Sequence, residues 1–276
     1  MNTVSLVPSS EGEISEVLIK ETEPLHIAGG QSRLEATEEK IISTSALNGI
    51  VEYEPGALTM VAKAGTPLSI IKNTLQKDNQ QLAFEPPELK HLLSLPGNST
   101  IGGVFATNAS GSRRVQVGAA RDHLLGVRFV DGLGRIVKNG GRVMKNVTGY
   151  DLVKLMAGSW GTLGVITEVS FKVLPIAETQ STLKINFCDA NILNKAINTP
   201  YDVSGTFYDV GSRVSYIRVE GFDKSVKYRI KQLLGEFSDF EVDILEMEES
   251  KKFWQNVSNL DFLKNIKGDL WRVSVR

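Results

Sequence analysis

A chain of 276 residues, 41% of them hydrophobic, is long enough to bury one large core or two modest ones. Its single cysteine, Cys188, excludes an internal disulfide and a cysteine-ligated iron–sulfur cluster, and its three histidines (His26, His91, His123) lack metal-ligand spacing. Redox chemistry here therefore needs an organic cofactor or a partner's metal. No apolar run is long enough to cross a bilayer, and Met1 to Ser10 has neither the basic nor the apolar region of a signal peptide, so a cytoplasmic chain without direct membrane insertion is expected.

The formal net charge of −1 hides an uneven distribution. Between Gly97 and Gly164, nine Lys and Arg face three Asp, a balance of +6; the other 22 basic and 29 acidic residues carry −7. The same stretch holds 14 of the 25 glycines. Basic, glycine-rich chain brings backbone amides close to a phosphorylated ligand, although a solvated basic face with many turns has the same composition. Nucleic-acid binding is set aside, because the stretch interleaves only Phe105, Phe129, Tyr150 and Trp160.

In chain order, Ser10 and Glu13 have capping-box spacing, and Ile14, Val17 and Leu18 make one stripe, which predicts a helix over 10–21. After Pro24, Leu25 to Ala28 reads as a strand ending in Gly29-Gly30-Gln31-Ser32-Arg33. Strands over 49–53 and 58–64 flank the turn Glu54-Pro55-Gly56. Thr66 as N-cap and Pro67 at N1 open a helix to Lys77. A strand over 82–85 meets Pro86-Pro87, which cannot supply ladder donors.

Gly126 to Val130 and Arg135 to Lys138 flank Asp131-Gly132-Leu133-Gly134, a hairpin signal. A helix over 150–157 and an alternating strand over 164–174 follow, and Pro175 ends the strand. Beyond Glu178 glycine becomes sparse. Strands are expected over 181–187, 203–210, 213–220, 240–246 and 270–275, with helices over 189–198, 223–237 and 249–263. The first six of these elements run β-α-β-β-α-β, the ferredoxin-like order. A boundary at 175–180 separates a domain over 1–176 from one over 177–276.

Four motifs bear on chemistry. His26-Ile27-Ala28-Gly29-Gly30-Gln31-Ser32-Arg33 ends a strand in permissive glycines, so its N–H groups can wrap an anion; a plain strand-ending turn looks the same. It is neither a G-x-G-x-x-G nor a G-K-[ST] motif. Gly97-Asn98-Ser99-Thr100-Ile101-Gly102-Gly103, running on to Thr107-Asn108-Ala109-Ser110-Gly111, places hydroxyls and a carboxamide around a short helix whose amides would face phosphate. Gly118 to His123 and Gly161 to Glu168 complete the series.

In order and spacing this series resembles the PCMH-type FAD-binding domain of the vanillyl-alcohol oxidase superfamily. Ala64-Gly65-Thr66-Pro67-Leu68, Leu82-Ala83-Phe84-Glu85-Pro86-Pro87, Met144-Lys145-Asn146-Val147-Thr148-Gly149-Tyr150-Asp151-Leu152 and Lys154 to Gly158 are more narrowly similar to the FAD-binding subunits of bacterial glycolate oxidases. The likeness covers residues 10–175 well and the remainder loosely.

The resemblance implies an α+β fold in which two α/β subdomains hold FAD and a ferredoxin-like cap covers the flavin. It also implies that the cap continues beyond Arg276, so an incomplete cap is expected. Ile27, Ala28, Gly29, Gly30, Gln31, Ser32 and Arg33 would hold the pyrophosphate. Pro96, Ser99, Thr100, Gly102, Gly103, Asn108, Ser110 and Gly111 would run along pyrophosphate, ribityl chain and ring. Gly118, Arg121, Asp122, Gly161, Gly164, Val165 and Ile166 would line the remainder. The partners implied are a related flavin subunit and an iron–sulfur subunit, with a small 2-hydroxy acid as substrate. Any membrane association would be peripheral, at the inner membrane and through those partners.

Where many relatives have Ser-Glu-Gly, this chain has Ser159-Trp160-Gly161, and core packing or a cover for the flavin edge is the expectation for Trp160. Arg113, Arg114 and Arg272 are candidate carboxylate binders, each also readable as a surface charge or phosphate contact. His123 is read as structural, and no general base stands out. A non-catalytic FAD-binding scaffold and a stand-alone D-lactate or 2-hydroxy acid dehydrogenase are the competing readings.

Relatives that link FAD covalently often carry His directly after the paired glycines; here Gln31 stands there. Acid or heat denaturation of the flavin-loaded chain should therefore release all flavin into the supernatant, and flavin remaining on the polypeptide would contradict this.

Overall fold

The computed structural model describes residues 4–33, 40–90, 92–142, 149–264, 266–271 and 273. The chain begins with β1 (Val4–Leu6), α1 (Glu11–Lys20), β2 (His26–Ala28) and β3 (Lys40–Ser43). β3 lies between β1 and β2 and runs parallel to both. Ser10 caps α1 as the spacing predicts, accepting the Glu13 amide at 3.2 Å. The Glu13 carboxylate instead takes the amide and hydroxyl of Ser9 (2.8 and 2.9 Å), one residue outside the expected box. α1 buries Ile14 against Ile42, Leu47, Val130 and Val165, which seats this small layer on the next one.

That next layer comprises β4 (Ile50–Glu54), β5 (Thr59–Lys63), α2 (Leu68–Lys77), β6 (Gln80–Gln81), α3 (Ile101–Ala106), α4 (Arg114–Val117), α5 (Ala120–His123), β7 (Leu124–Val130), β8 (Ile136–Gly140), α6 (Leu152–Met156), β9 (Val165–Lys172) and β10 (Leu174–Pro175). An antiparallel five-stranded sheet in the order β4-β5-β9-β7-β8 organises it. The 131–134 hairpin is as predicted. The expected alternation of β9 is not seen, because this central strand is covered on both faces: Val165, Ile166, Thr167, Val169, Ser170 and Phe171 are all buried.

Two local expectations are corrected. Leu82 to Glu85 is a turn rather than a strand: the Glu85 amide donates to the Leu82 carbonyl at 3.0 Å, and Glu85 has φ +47°. Strand pairing is made just before it, by β6 with β10. Thr66 does not cap α2. Its hydroxyl donates to the Lys63 carbonyl (2.6 Å) and accepts the Gly49 amide (2.9 Å), so Pro67 occupies the N-cap position.

The C-terminal part holds β11 (Thr179–Ile185), α7 (Ala190–Ile197), β12 (Val203–Asp209), β13 (Val214–Gly221), α8 (Asp223–Glu236), β14 (Val242–Leu245) and α9 (Met247–Ser258). Its antiparallel sheet has the order β12-β13-β11-β14, the arrangement of a ferredoxin-like β-α-β-β-α-β unit. Val226, Ile230 and Leu233 of α8 and Ile192 of α7 build its core with Ile217 and Val219. The helix predicted over 249–263 stops at Ser258, and a 3-10 turn covers Asp261–Leu263. Leu270, Trp271 and Val273 lie in no strand, and the rest of the strand expected over 270–275 lies outside the described residues. The whole is an α+β fold.

Three buried charges, Arg113, Arg218 and Glu220, and the half-buried Glu85 join the two units. Arg113 grips Glu220 through Nε (2.6 Å) and Nη2, while Arg218 grips both oxygens of Glu85 at 2.9 Å. Arg218 is 1% exposed, and its guanidinium lies 4.5 Å from the Trp254 ring. Burial pushes the Glu220 carboxyl up, but the hydrogen bond from Arg113 and the charges of Arg218 and Arg113 outweigh it and hold the group below the ordinary carboxylate range. A lowered carboxylate contributes stability above that range and loses it as pH falls. Glu220→Ala should cost about 3–5 kcal/mol in urea unfolding at neutral pH, because it strands a buried guanidinium. It should also flatten the acid limb of the stability profile; an unchanged acid limb would contradict the assignment.

Candidate functional site

Where β2 runs out, Gly29 and Gly30 lie directly against the 97–103 loop. A Cβ on Gly30 would stand 1.6 Å from the Asn98 carbonyl oxygen, and one on Gly97 would stand 1.6 Å from that of Gly30. The two loops thus touch backbone to backbone, and only glycine permits it. Ser32 and Ser99 close the junction with a buried hydroxyl–hydroxyl hydrogen bond of 3.1 Å. Gln31 takes the left-handed conformation at φ +48°.

This junction floors a cleft. Its lining includes Ile27, Ala28, Gly29, Gly30, Gln31, Ser32 and Arg33 from the first loop, with Thr100, Gly102 and Gly103 from the second. Gly161, Gly164 and Ile166 close one end. Among the described residues, the amides of Gly29, Gly30, Gln31 and Ser32 find no acceptor. The Nε of Arg33 is buried and unpartnered, while its Nη2 donates to the Pro87 carbonyl at 2.7 Å. Burial lowers the Arg33 pKa, opposed by the charge of Glu88, but a guanidinium stays protonated in such a setting. A run of free N–H donors beside a cation with an unused donor is an arrangement that takes an anion.

The short helix α3 contributes less than its sequence suggested. Its first amides are already used: Ile101 donates to Thr66 (3.0 Å), Gly102 to Ala64 (2.8 Å) and Gly103 to the Thr100 hydroxyl (3.3 Å). Gly102 and Gly103 therefore serve the cleft through their smallness. His26, Thr44, Ala64, Ala106, Thr107 and Trp160 also line it. His26, Ala64, Thr107 and Trp160 fall within motifs of the sequence, whereas Thr44 and Ala106 do not, and core packing is not the role of Trp160. It is 53% exposed, with φ +55° and its amide bonded to Ala106 at 2.9 Å. It stands at the rim of the cleft.

The other expected residues lie outside this lining. Asn108 accepts the Arg121 amide (2.9 Å), Ser110 accepts that of Ala120 (2.8 Å), and Asp122 accepts that of Ala119 (2.8 Å). These three side chains knit the end of α3 to α5, with Gly118 in the tight bend at φ +88°. The Arg121 side chain is exposed, as is Pro96. Gly111 packs on Glu85, whose carbonyl oxygen would lie 2.4 Å from an added Cβ. Val165 is in the small core beneath α1. His123 is structural: its ring bonds the Val117 carbonyl at 3.1 Å and packs on Phe84, and burial lowers its pKa. Of the 144–152 motif, residues 144–148 lie outside the described residues, and Asp151 caps α6 through the Lys154 amide at 3.0 Å.

A second cavity of ≈ 690 Å³ lies between the two sheets' units. α2, the 85–90 segment and α9 wall it, and Ser99 and Asn98 stand between it and the first cleft. Arg113 and Arg218 face it, but each is paired with a glutamate. Arg114 is exposed on α4, and Arg272 lies outside the described residues.

Comparison with known proteins gives the family of the chain. Residues 4–140 match the family model described as an FAD binding domain. The chain is 34% identical over 265 residues to glycolate oxidase subunit GlcE of Escherichia coli, covering 93% of this chain and 70% of that protein. It is 35% identical over 137 residues to glycolate oxidase subunit GlcD of Bacillus subtilis, covering half of this chain but 28% of that protein. In structure it is similar to an alkyldihydroxyacetonephosphate synthase, with a TM-score of 0.71 at 18% identity over 95% of this chain and 56% of that one, a likeness of fold. The chain belongs to this FAD-binding family, and FAD is its cofactor.

Gly30→Ala should lose FAD retention and unfold at lower temperature, because the methyl group meets a carbonyl that cannot retreat. Gly132→Ala, with nothing within 4 Å of the new carbon, is the control. Equal flavin content in the two purified variants would refute the close-contact argument.

Proposed function

We propose that this chain is the FAD-binding subunit of a multi-subunit glycolate oxidase, a complex that oxidises glycolate to glyoxylate and passes the electrons to a partner acceptor. The observation that carries the reading is the 34% identity to GlcE across 93% of this chain. In this proposal residues 1–176 hold the cofactor and residues 177–276 form the cap. FAD is held without a covalent link. Its pyrophosphate lies against the free amides of Gly29 to Ser32 and the unpartnered Nε of Arg33, which suit an anion in number and charge. Gly102 and Gly103 let the backbone approach it, and Trp160, Gly161, Gly164 and Ile166 border one end. When bound, FAD supplies the hydride acceptor.

The remaining demands are a cation for the substrate carboxylate and a base for its hydroxyl proton. Arg113 and Arg218 face the second cavity already neutralised by Glu220 and Glu85; of the lysines that line it, Lys72 and Lys251 are paired with Glu88 and Glu248, and Lys90 bonds the Asn98 carboxamide. Among its described lining residues there is no histidine. Glu220, held ionised by two arginines, is a weak proton acceptor. This favours a partner-dependent chain that holds FAD and completes its oxidation chemistry in the assembly. The partners proposed are a related flavin subunit, which the match to GlcD supports, and an iron–sulfur subunit. No helix among the described residues is long and apolar enough to cross a membrane, and the location proposed is cytoplasmic, peripheral at the inner membrane through partners.

Anaerobic glycolate should leave the flavin of the isolated chain oxidised and bleach it once the partner flavin subunit is added. Full bleaching of the isolated chain at the rate of the complex would refute partner dependence. Flavin that never bleaches, even in the complex, would favour a scaffold.

A further inference from the structure

The segment from Phe84 to Pro87 is held from three sides. The Phe84 carbonyl accepts the Gly111 amide at 2.8 Å. The Glu85 carboxylate accepts the Arg113 amide at 3.0 Å and both Nη groups of Arg218 at 2.9 Å. The Pro87 carbonyl accepts Arg33 Nη2 at 2.7 Å. Between the second and third anchors the chain is Pro86-Pro87, whose ring-locked φ angles leave little slack to absorb a displacement. Arg218 belongs to β13 of the four-stranded sheet, whereas Arg33 lines the cleft at β2. A stiff two-residue strut therefore joins a buried guanidinium in one unit to the guanidinium of Arg33, a cleft-lining residue whose Nε is buried without a partner.

We infer that Arg218 is a positioning residue for the cofactor, acting through Glu85, Pro86 and Pro87 to hold the Arg33 guanidinium against the FAD pyrophosphate. The inference rests on placing that pyrophosphate at Gly29 to Arg33. Arg218 lies in the other unit and its donors are committed to Glu85, Ser204 and Glu220, so its effect is indirect. The consequence is a linkage: seating the four-stranded sheet on the FAD-binding part tightens FAD, and FAD tightens the seating by the same factor.

The test is a titration of the FAD-free full chain with FAD, followed by flavin fluorescence at several salt concentrations, with the melting temperature of each FAD-free variant beside it. Arg33→Met and Arg218→Met should each raise Kd on the order of tenfold. The double variant should stay within about twofold of the weaker single one, because both cut the same path. Arg218→Met should also flatten the salt dependence of Kd as Arg33→Met does, since each removes the same charge contact; mere destabilisation would leave that dependence as in the parent. Arg218→Lys should fall between parent and Arg218→Met.

Multiplied losses in the double variant, or a parent-like salt slope in Arg218→Met, would overturn the inference. If Arg218→Met does not fold, Arg218→Lys and Pro87→Ala carry the test, since Pro87→Ala loosens the strut without touching a charge. Parent-like Kd values in both would overturn it equally. Parent-like binding by Arg33→Met is a different failure, because it removes the pyrophosphate placement on which the inference stands.

Discussion

The contact between Gly30 and the Gly97-Asn98 turn is the constraint from which the site follows. Two loops 67 positions apart in the chain approach until a single methyl group would collide with a carbonyl. With no side chains between them, the loops pack through their backbones, and the Ser32–Ser99 hydrogen bond closes the seam. Among the described residues the amides of Gly29 to Ser32 have no acceptor, and unsatisfied donors are costly unless water or a ligand meets them. In the proposed placement the FAD pyrophosphate meets these donors, and binding the folded form then adds stability by mass action.

The charged cluster between the sheets answers a different problem. Each unit has its own apolar core, so the junction between them is built from polar contacts. Alternating arginines and glutamates satisfy one another there: Arg113 spans Glu220 and the Gln81 side chain (2.9 Å), and Arg218 spans Glu85 and Ser204. Such a cluster adds little net stability over apolar packing, but it is unforgiving of misregistration, since displacement strands a buried charge. It fixes how the units meet. It also commits both arginines that face the second cavity to glutamates.

Legibility in the sequence followed the range of the forces. The Ser10 cap, the 131–134 hairpin and the β-α-β-β-α-β order were readable because each depends on spacing within a few residues. The glycine pairs and the basic charge excess pointed to amides near a phosphorylated ligand, and Gly29 to Arg33 do line a cleft. What failed was non-local. Leu82-Ala83-Phe84 reads as a strand until Glu85 turns the chain at positive φ. Thr66 reads as a cap until Gly49 claims its hydroxyl, and α3 reads as a phosphate-facing helix until the 64–66 carbonyls take its amides. Arg113 and Glu220 lie 107 positions apart, and no local pattern announces that pairing.

A crystal structure of the chain with FAD tests the central claim most directly. The account predicts the pyrophosphate within hydrogen-bonding distance of the Gly29 to Ser32 amides and of Arg33 Nε, with no bond from flavin to protein. A pyrophosphate held elsewhere, with those amides still unpaired, would contradict it.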